Sequence, residues 1–219
     1  MFSVIFEVLP KQERFNEYLA IAKQLKPILE TIDGFVDNER FESRRRPGWL
    51  LSHSTWRDEK SVIRWRTTGE HHAMQAKGRD QILGDYHLRV GDVTVDTDAP
   101  RGAPVHEQRF DETEIGAAKF ATLTETTPHA DGTIGDPLAA LHFNAMANGV
   151  LDHDVFASIY NPGKIALLVS WKDADAANCW TPLASKDIQT LRHRKIRIVR
   201  DYGMFDRREA PQFYPEARR

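Results

Sequence analysis

The chain has 219 residues, enough for one large domain or two small ones, and either can bury a substantial core. Its hydrophobic fraction of 41% and charged fraction of 28% are ordinary for a soluble globular protein. The 30 basic and 32 acidic residues give a net charge of -2, which argues against a nucleic-acid partner.

The single cysteine, Cys179, excludes an intramolecular disulfide and a cysteine-based zinc site, and it suits a reducing compartment. The first ten residues are apolar but too short for a signal peptide with its cleavage site. No apolar run approaches the roughly 18 residues that a membrane span needs. We therefore expect a cytoplasmic protein without a membrane partner.

The first half of the chain alternates strand and helix patterns. Phe2 to Leu9 predicts a buried strand, interrupted by Glu7, and residues 13–32 carry apolar side chains at helical spacing. Pro27 is expected to kink or split that helix. The remaining predictions are strands at 35–43 and 49–56, a helix at 59–66 capped by Asp58, a short helix at 70–77, and a strand at 82–95. This order predicts a ferredoxin-like (split βαβ) unit.

The second half repeats the first at a nearly constant offset. An offset of 118 aligns Glu7 with Glu125 on the first strand. The residues that recur at an offset of 115 are Phe41 and Phe156, Ser43 and Ser158, Trp56 and Trp171, Asp58 and Asp173, Trp65 and Trp180, and Arg79 and Arg194. Chance rarely aligns two tryptophans, an aspartate and an arginine at one offset, so the pattern indicates an internal duplication.

The duplication predicts a first unit at residues 1–97, a linker at 98–110, and a second, diverged unit at 111–219. In the second unit we expect a first helix at 137–147, a last strand at 195–205 and an irregular surface tail from residue 207. The strands are apolar on both faces, so we expect another layer of structure to pack against the sheet face opposite the helices. We expect an α+β fold of two ferredoxin-like units packed sheet to sheet.

The stretch GFVDNERFESRRRPGWLLSHSTWRDEKSVIRWR, followed by EHHAMQAKGR and DYHLRV, resembles the antibiotic biosynthesis monooxygenase family of the dimeric α+β barrel superfamily. The resemblance covers residues 2–96 closely and the second unit at its strands and tryptophans. Two such units form a homodimer in that family, so the resemblance implies an intrachain pseudo-dimer here. A further homo-oligomer of these chains stays open.

The resemblance also implies a ligand pocket between the sheet and the helices of the first unit. Its expected lining is Glu7, His53 and the helical segment from Trp65 to Gln75. The second unit has Leu168, Lys186, Asp187 and Thr190 where the first has His53, His71, His72 and Gln75. The second unit has lost these polar side chains, so one working pocket is predicted, in the first unit.

His72 is the favoured catalytic residue. As a base near neutral pH, it would deprotonate a small aromatic or quinol-like substrate before that substrate reacts with molecular oxygen. Gln75 or Arg79 would hold a substrate oxygen, while Trp65 and Phe41 shape the pocket. This hypothesis needs no bound cofactor and no metal, since two adjacent histidines do not suit a helical metal pair.

Glu7 and His53 each allow two interpretations. A buried carboxylate must be paired or protonated, so Glu7 is either a general base or the partner of a cation such as Arg79, as Glu125 would be of Arg194. His53 is either a substrate contact or a buried histidine with its own hydrogen bond.

Two further functions stay open. Haem-degrading members of the family place a histidine ten residues after the helix tryptophan and an asparagine on strand one, whereas this chain has Gln75 and Glu7 there. A shifted haem ligand, His71 or His72, is the remaining route to a haem-binding protein. The third hypothesis is a non-enzymatic stress protein that binds a small molecule.

Overall fold

The computed structural model describes residues 1–103, 105–130 and 132–212, which form eight strands and five α-helices. The first unit contains β1 (Phe2–Pro10), α1 (Phe15–Thr31), β2 (Phe35–Ser43), β3 (Leu50–Trp56), α2 (Glu59–Thr67), α3 (Gly69–Lys77) and β4 (Leu83–Asp96). The second contains β5 (Phe120–Pro128), α4 (Pro137–Ala140), β6 (Val150–Ser158), β7 (Ile165–Trp171), α5 (Ala174–Asn178) and β8 (Ile188–Gly203). Among the described residues, no helix is both long and apolar enough to cross a membrane.

All eight strands join into one closed barrel in the order β1-β3-β2-β6-β7-β5-β8-β4. Each half of this order is a ferredoxin-like sheet, and the halves meet at the β2–β6 and β4–β8 seams. The first seam shows a pseudo-two-fold axis, because Phe41 pairs with Ser158 while its counterpart Phe156 pairs with Ser43. The predicted fold, an intrachain dimeric α+β barrel, is confirmed.

The helix that follows the third strand begins in the same way in both units. Asp58 caps α2 by accepting a hydrogen bond from the Ser61 amide at 2.8 Å. Asp173 caps α5 by accepting one from the Ala176 amide at 2.9 Å. A capping carboxylate satisfies an amide that would otherwise lack a partner, which is why both copies keep this aspartate.

The helices of the second unit are shorter than predicted. The helix predicted at 137–147 ends at Ala140, because His142 takes a left-handed conformation (φ 51°) that turns the chain back. Phe143 then packs edge-on against Trp180 at 5.0 Å. In the first unit, α1 is not split, since it continues through Pro27 to Thr31.

The last strand is longer than predicted. β8 begins at Ile188 instead of residue 195, because residues 188–194 continue the pairing with β5 as far as Pro128. This longer strand carries Arg194 into the barrel interior, where it is 1% exposed.

A buried carboxylate of the first unit is held by two arginines inside the barrel. Arg89 of β4 and Arg46 of the β2–β3 turn both form ion pairs with Glu7. Arg46 also donates from Nε to Asp154 Oδ2 of the second unit at 2.8 Å. These contacts pair both arginines with carboxylates of the two units and tie one unit to the other.

The second unit repeats this network. Arg194 Nη1 lies 2.6 Å from Glu125 Oε1, as predicted, and Lys164 bridges Glu125 to Glu39 of the first unit. Arg79 is not the corresponding partner of Glu7. The strand registers pair Ile5 with Arg89 and Leu123 with Arg194, so Arg89 is the structural counterpart of Arg194.

Replacing Gly34 with alanine is expected to destabilise the protein by at least about 1–2 kcal/mol, the cost of a left-handed conformation at a residue with a Cβ. Gly34 has φ 87°, and an added Cβ would lie 2.0 Å from Ser61 Oγ. Urea unfolding measures the change. Gly69→Ala is the control, because an added Cβ there meets nothing within 4 Å. Equal stability of the two variants would contradict the prediction.

Candidate active site

A cavity of about 220 Å³ lies between the sheet of the first unit and its helices α1 and α3. Its apolar lining is Val4, Phe6, Ile21, Ala22, Leu25, Leu29, Met74, Ile82, Leu83 and Leu88. Its polar side chains are Tyr18, Lys26, Asn38, Arg40, Ser52, Ser54, Trp65, His71, Gln75, Arg79, Tyr86, Tyr202, Arg207 and Gln212. Four of the described lining residues are cationic and none carries a carboxylate, so the lining suits an apolar molecule with an anionic group.

Arg40 provides a binding group for such an anion. Its Nη1 donates to Asn38 Oδ1 at 3.2 Å, and Asn38 Nδ2 donates to the His53 carbonyl at 2.8 Å, which orients the amide. Arg40 Nε is buried without a hydrogen-bond partner among the described residues. Burial raises the pKa of the Tyr18 hydroxyl although Arg40 opposes this, so Tyr18 is a protonated donor beside Arg40. No motif or repeat in the sequence marks Arg40 or Tyr18.

His71 provides a base. Its ring stacks on Trp65 with centroids 4.1 Å apart, and its Nδ1 lies 3.0 Å from the Trp65 carbonyl oxygen. Because a carbonyl can only accept, Nδ1 carries the proton and Nε2 is the basic nitrogen. Burial lowers the pKa of His71 to about 4, against the effect of the hydrogen bond to Trp65. At neutral pH the ring is therefore neutral, and Nε2 can accept a hydrogen bond from a ligand.

The end of the second unit closes the cavity of the first. Arg79 Nη1 donates to the Tyr86 hydroxyl at 3.2 Å and to the Met204 carbonyl at 2.9 Å. Arg207 donates to the same hydroxyl at 2.5 Å. Burial, with the neighbouring Tyr86, raises the pKa of Tyr202 to about 12. The predicted surface tail thus begins as a wall of the cavity, and its residues 213–219 lie outside the described part of the chain.

Three of the predicted site residues, Trp65, Gln75 and Arg79, line the cavity. His72 does not line it. His72 is exposed on α3, and its Nδ1 lies 3.4 Å from Gln212 Nε2. Consecutive residues of an α-helix point in directions about 100° apart, so only one of two adjacent histidines faces the cavity, and it is His71.

Glu7, Phe41 and His53 face the opposite side of the sheet. Phe6 and Ser52 line the cavity, so the next residue of each strand, Glu7 and His53, points into the barrel. Phe41 belongs to the core cluster of the barrel and is fully buried. These three placements correct the predicted lining. Because both faces of these strands are buried, the hydrophobic pattern of the sequence could not predict which side chains face the cavity and which face the barrel interior.

The corresponding face of the second unit is filled by aromatic side chains. Phe143 packs edge-on against Trp171 with ring centroids 6.1 Å apart. The ring centroid of Trp180 lies 6.2 Å from that of Trp171 and 5.4 Å from that of His193. The Phe143, Trp171 and Trp180 rings belong to one hydrophobic cluster with residues of β5 and β7, and His193 is buried beside them. The open sheet-to-helix cavity described above therefore belongs to the first unit.

Replacing His53 with leucine, the residue at the equivalent position 168, should make stability less sensitive to acid. Burial, and then Arg194, lower the pKa of His53 to about 3, well below its ordinary value near 6.5. The folded state binds fewer protons than the unfolded state, so the stabilisation is present above pH 6.5 and lost as the pH falls toward 3.

As the pH falls from 6.5 to 4, the free energy of unfolding of the variant should therefore decrease by up to about 1.4 kcal/mol less per pH unit than that of the parent protein. Urea unfolding across this range measures the slope. Exposed His106 gives the control, because His106→Leu should leave the slope unchanged. A parallel slope in His53→Leu and the parent protein would show that His53 is not held neutral.

Residues 1–77 match the family model of the antibiotic biosynthesis monooxygenases. Jasmonate monooxygenase ABM of Pyricularia oryzae (strain 70-15) is 43% identical over 222 residues, which cover 99% of this chain and 100% of that protein. A solved Fusobacterium nucleatum structure covers 91% of this chain and 93% of its own at 12% identity and TM-score 0.42. A crystal structure of an antibiotic biosynthesis monooxygenase covers 46% and 99% at 16% identity and TM-score 0.38. The chain therefore belongs to the antibiotic biosynthesis monooxygenase family and is a monooxygenase of that type.

Proposed function

We propose that this monooxygenase oxidises a small, apolar carboxylic acid of the jasmonate type in the cavity of the first unit. The observation that carries the proposal is that Arg40 lines an apolar cavity and has a buried Nε without a hydrogen-bond partner among the described residues. The full-length relative named for jasmonate, a carboxylate with a ring and a hydrocarbon chain, supports the same class of substrate.

In this proposal Arg40 and the Tyr18 hydroxyl bind the substrate carboxylate, and the apolar lining holds the ring and chain. A charge-assisted hydrogen bond is about twice as strong as a neutral one, and the dry lining strengthens it further. Binding at the carboxylate orients the rest of the molecule toward His71 and Trp65, at the other polar part of the lining.

The neutral His71 ring then acts as the base, and the negative charge that develops on the bound substrate raises the pKa of the ring from about 4, at which it is only a weak base. It removes a proton from a carbon beside a carbonyl, or from a phenolic hydroxyl, and leaves an electron-rich anion that can reduce oxygen. One oxygen atom enters the product and the other leaves as water, which consumes two electrons and two protons. A quinol supplies these electrons itself, whereas a hydroxylated acid needs an added reductant. His71 would thus also deprotonate the aromatic or quinol-like substrate that the sequence predicts.

Oxygen uptake with ¹⁸O₂ and mass spectrometry tests the proposal, with jasmonate and a panel of quinols, each with and without NADPH or ascorbate. We expect one ¹⁸O atom in the product of a carboxylic acid and loss of turnover in His71→Phe. Oxygen uptake with quinols alone would move the assignment to quinols. No labelled product from any substrate, or full activity in His71→Phe, would overturn the mechanism.

Haem binding is tested separately by titrating the purified protein with haemin. A Soret band that disappears in a His71→Phe or His72→Phe variant would support the haem-binding alternative in place of the cofactor-independent one. The non-enzymatic alternative would be favoured by ligand binding without oxygen uptake.

A further inference from the structure

A second cavity, of about 480 Å³, opens at one end of the barrel between the two units. Side chains of both units line it, and the described lining shares only Tyr86 and Tyr202 with the cavity of the first unit. The proposed monooxygenase reaction uses none of its other residues.

The pseudo-two-fold axis relates this end to the opposite end of the barrel, the closed end, which buried His53 and Arg194 and the Arg192–Asp96 ion pair occupy. Glu7 pairs with His87 across β1 and β4, whereas its counterpart Glu125 pairs with Arg192 across β5 and β8. Arg192 is long enough to span the closed end, where its Nη2 lies 2.7 Å from Asp96 Oδ2. The shorter His87 leaves the corresponding space at the open end.

Two neighbouring positions also differ between the two ends of the barrel. Leu168 and Ser170 line the open end, whereas His53 and Thr55 occupy the equivalent register positions at the closed end. His53 Nε2 is held 2.8 Å from Ser3 Oγ and fills its place completely. The barrel can therefore be packed shut with side chains that this chain already uses at its other end, so the cavity is not imposed by the fold.

The lining of the open end is acidic. Its carboxylates are Glu7, Asp85, Asp152, Asp154, Asp201 and Asp206. Arg46 and Arg89 lie among them, and Arg45 and Arg208 pair with Asp152 and Asp206 from outside the lining, so six carboxylates face four guanidinium groups. Asp154 is 2% exposed, yet its Oδ1 has no hydrogen-bond partner among the described residues, and Arg45 Nε lies 4.0 Å from it, too far for a hydrogen bond. A buried carboxylate oxygen without a donor is costly, so it marks the place of a missing donor.

We propose that this barrel-end cavity binds a small organic ammonium ion, with Asp154 Oδ1 accepting an ammonium N–H. The excess of carboxylates favours a cation, and the rings of Tyr86 and Tyr202 add apolar and cation–π contacts for a carbon chain. A bare metal ion fits less well, because the described residues contain no group of three or more His, Cys, Asp or Glu arranged to hold one. The volume lies within the range of small-molecule sites.

Isothermal titration calorimetry of the full chain tests the proposal with 1,4-diaminobutane and butylamine as probes and 1,4-butanediol as the uncharged control. We expect one amine bound per chain and no binding of the diol. Asp154→Asn should weaken amine binding by about tenfold or more, as expected for loss of a charge-assisted hydrogen bond. Glu39→Gln, the same type of change at the counterpart of Asp154, should leave the affinity unchanged.

A second variant separates the site from general acidity and from folding. His87→Arg copies the closed end, where Arg192 holds the equivalent position, and keeps all six carboxylates; it should abolish amine binding while the thermal unfolding transition persists. Arg40→Met should bind the amine normally, because Arg40 lies at the other cavity. The proposal is overturned if neither amine binds, if the diol binds equally well, or if the His87→Arg variant binds the amines undiminished.

Discussion

Replacing Arg40 with methionine should lower kcat/KM for a carboxylic acid substrate about 10- to 100-fold, since a hydrogen bond to a charged group contributes about 1.5–3 kcal/mol. The loss should fall mainly on KM, because Arg40 binds a group that does not react. The methyl ester of the same acid has no carboxylate, so the variant and the parent protein should oxidise it at similar rates. Initial rates of oxygen uptake with the acid and the ester measure the difference.

The matched control is Arg44→Met, which removes an exposed arginine just beyond the end of the same strand. It should change neither rate. If Arg40→Met slowed the acid and the ester equally, Arg40 would be a support for the cavity wall and not a carboxylate anchor. Unchanged rates with both substrates would remove Arg40 from the site altogether.

Replacing Arg194 with methionine should reduce the free energy of unfolding at pH 7 by about 3–5 kcal/mol, the usual cost of removing one partner of a buried ion pair. Arg194 is 1% exposed, and its Nη1 lies 2.6 Å from Glu125 Oε1. Burial by itself would raise the pKa of Glu125, but Arg194 and the other nearby cations outweigh it and hold the pKa at about 2. The variant leaves Glu125 buried with less compensation.

The deficit should shrink in acid. In the parent protein the contribution of Glu125 is present above its unfolded pKa near 4.5 and lost as the pH falls toward 2, so the two proteins converge over that range. Urea unfolding at pH 7 and at pH 3.5 measures this. Arg194→Met combined with Glu125→Gln should recover part of the loss, because the unpaired charge is gone. A constant deficit at both pH values would show that Arg194 acts by packing alone.

The buried ion pairs inside the barrel show why the sequence could not predict which residues of the two units correspond there. Arg79 and Arg194 share an offset of 115 in the sequence, but the strand registers make Arg89 the counterpart of Arg194. The β4–β8 strands of the two units differ in start and length, so one offset cannot hold across the whole chain. Identity at a fixed offset located the repeat, and hydrogen-bond register decided which residues correspond.

Local patterns in the sequence determined the strands, the helix caps Asp58 and Asp173, the duplication and the fold class, because these depend on periodicity and on contacts between near neighbours. Only the tertiary structure decided which face of a strand borders the cavity when both faces are buried. It placed Glu7 and His53 outside the cavity lining. It also chose His71 over His72 and brought Arg207 onto the first unit. Those outcomes depend on how the helices pack on the sheet and, for Arg207, on a contact with Tyr86 121 positions away, and local periodicity carries no information on either.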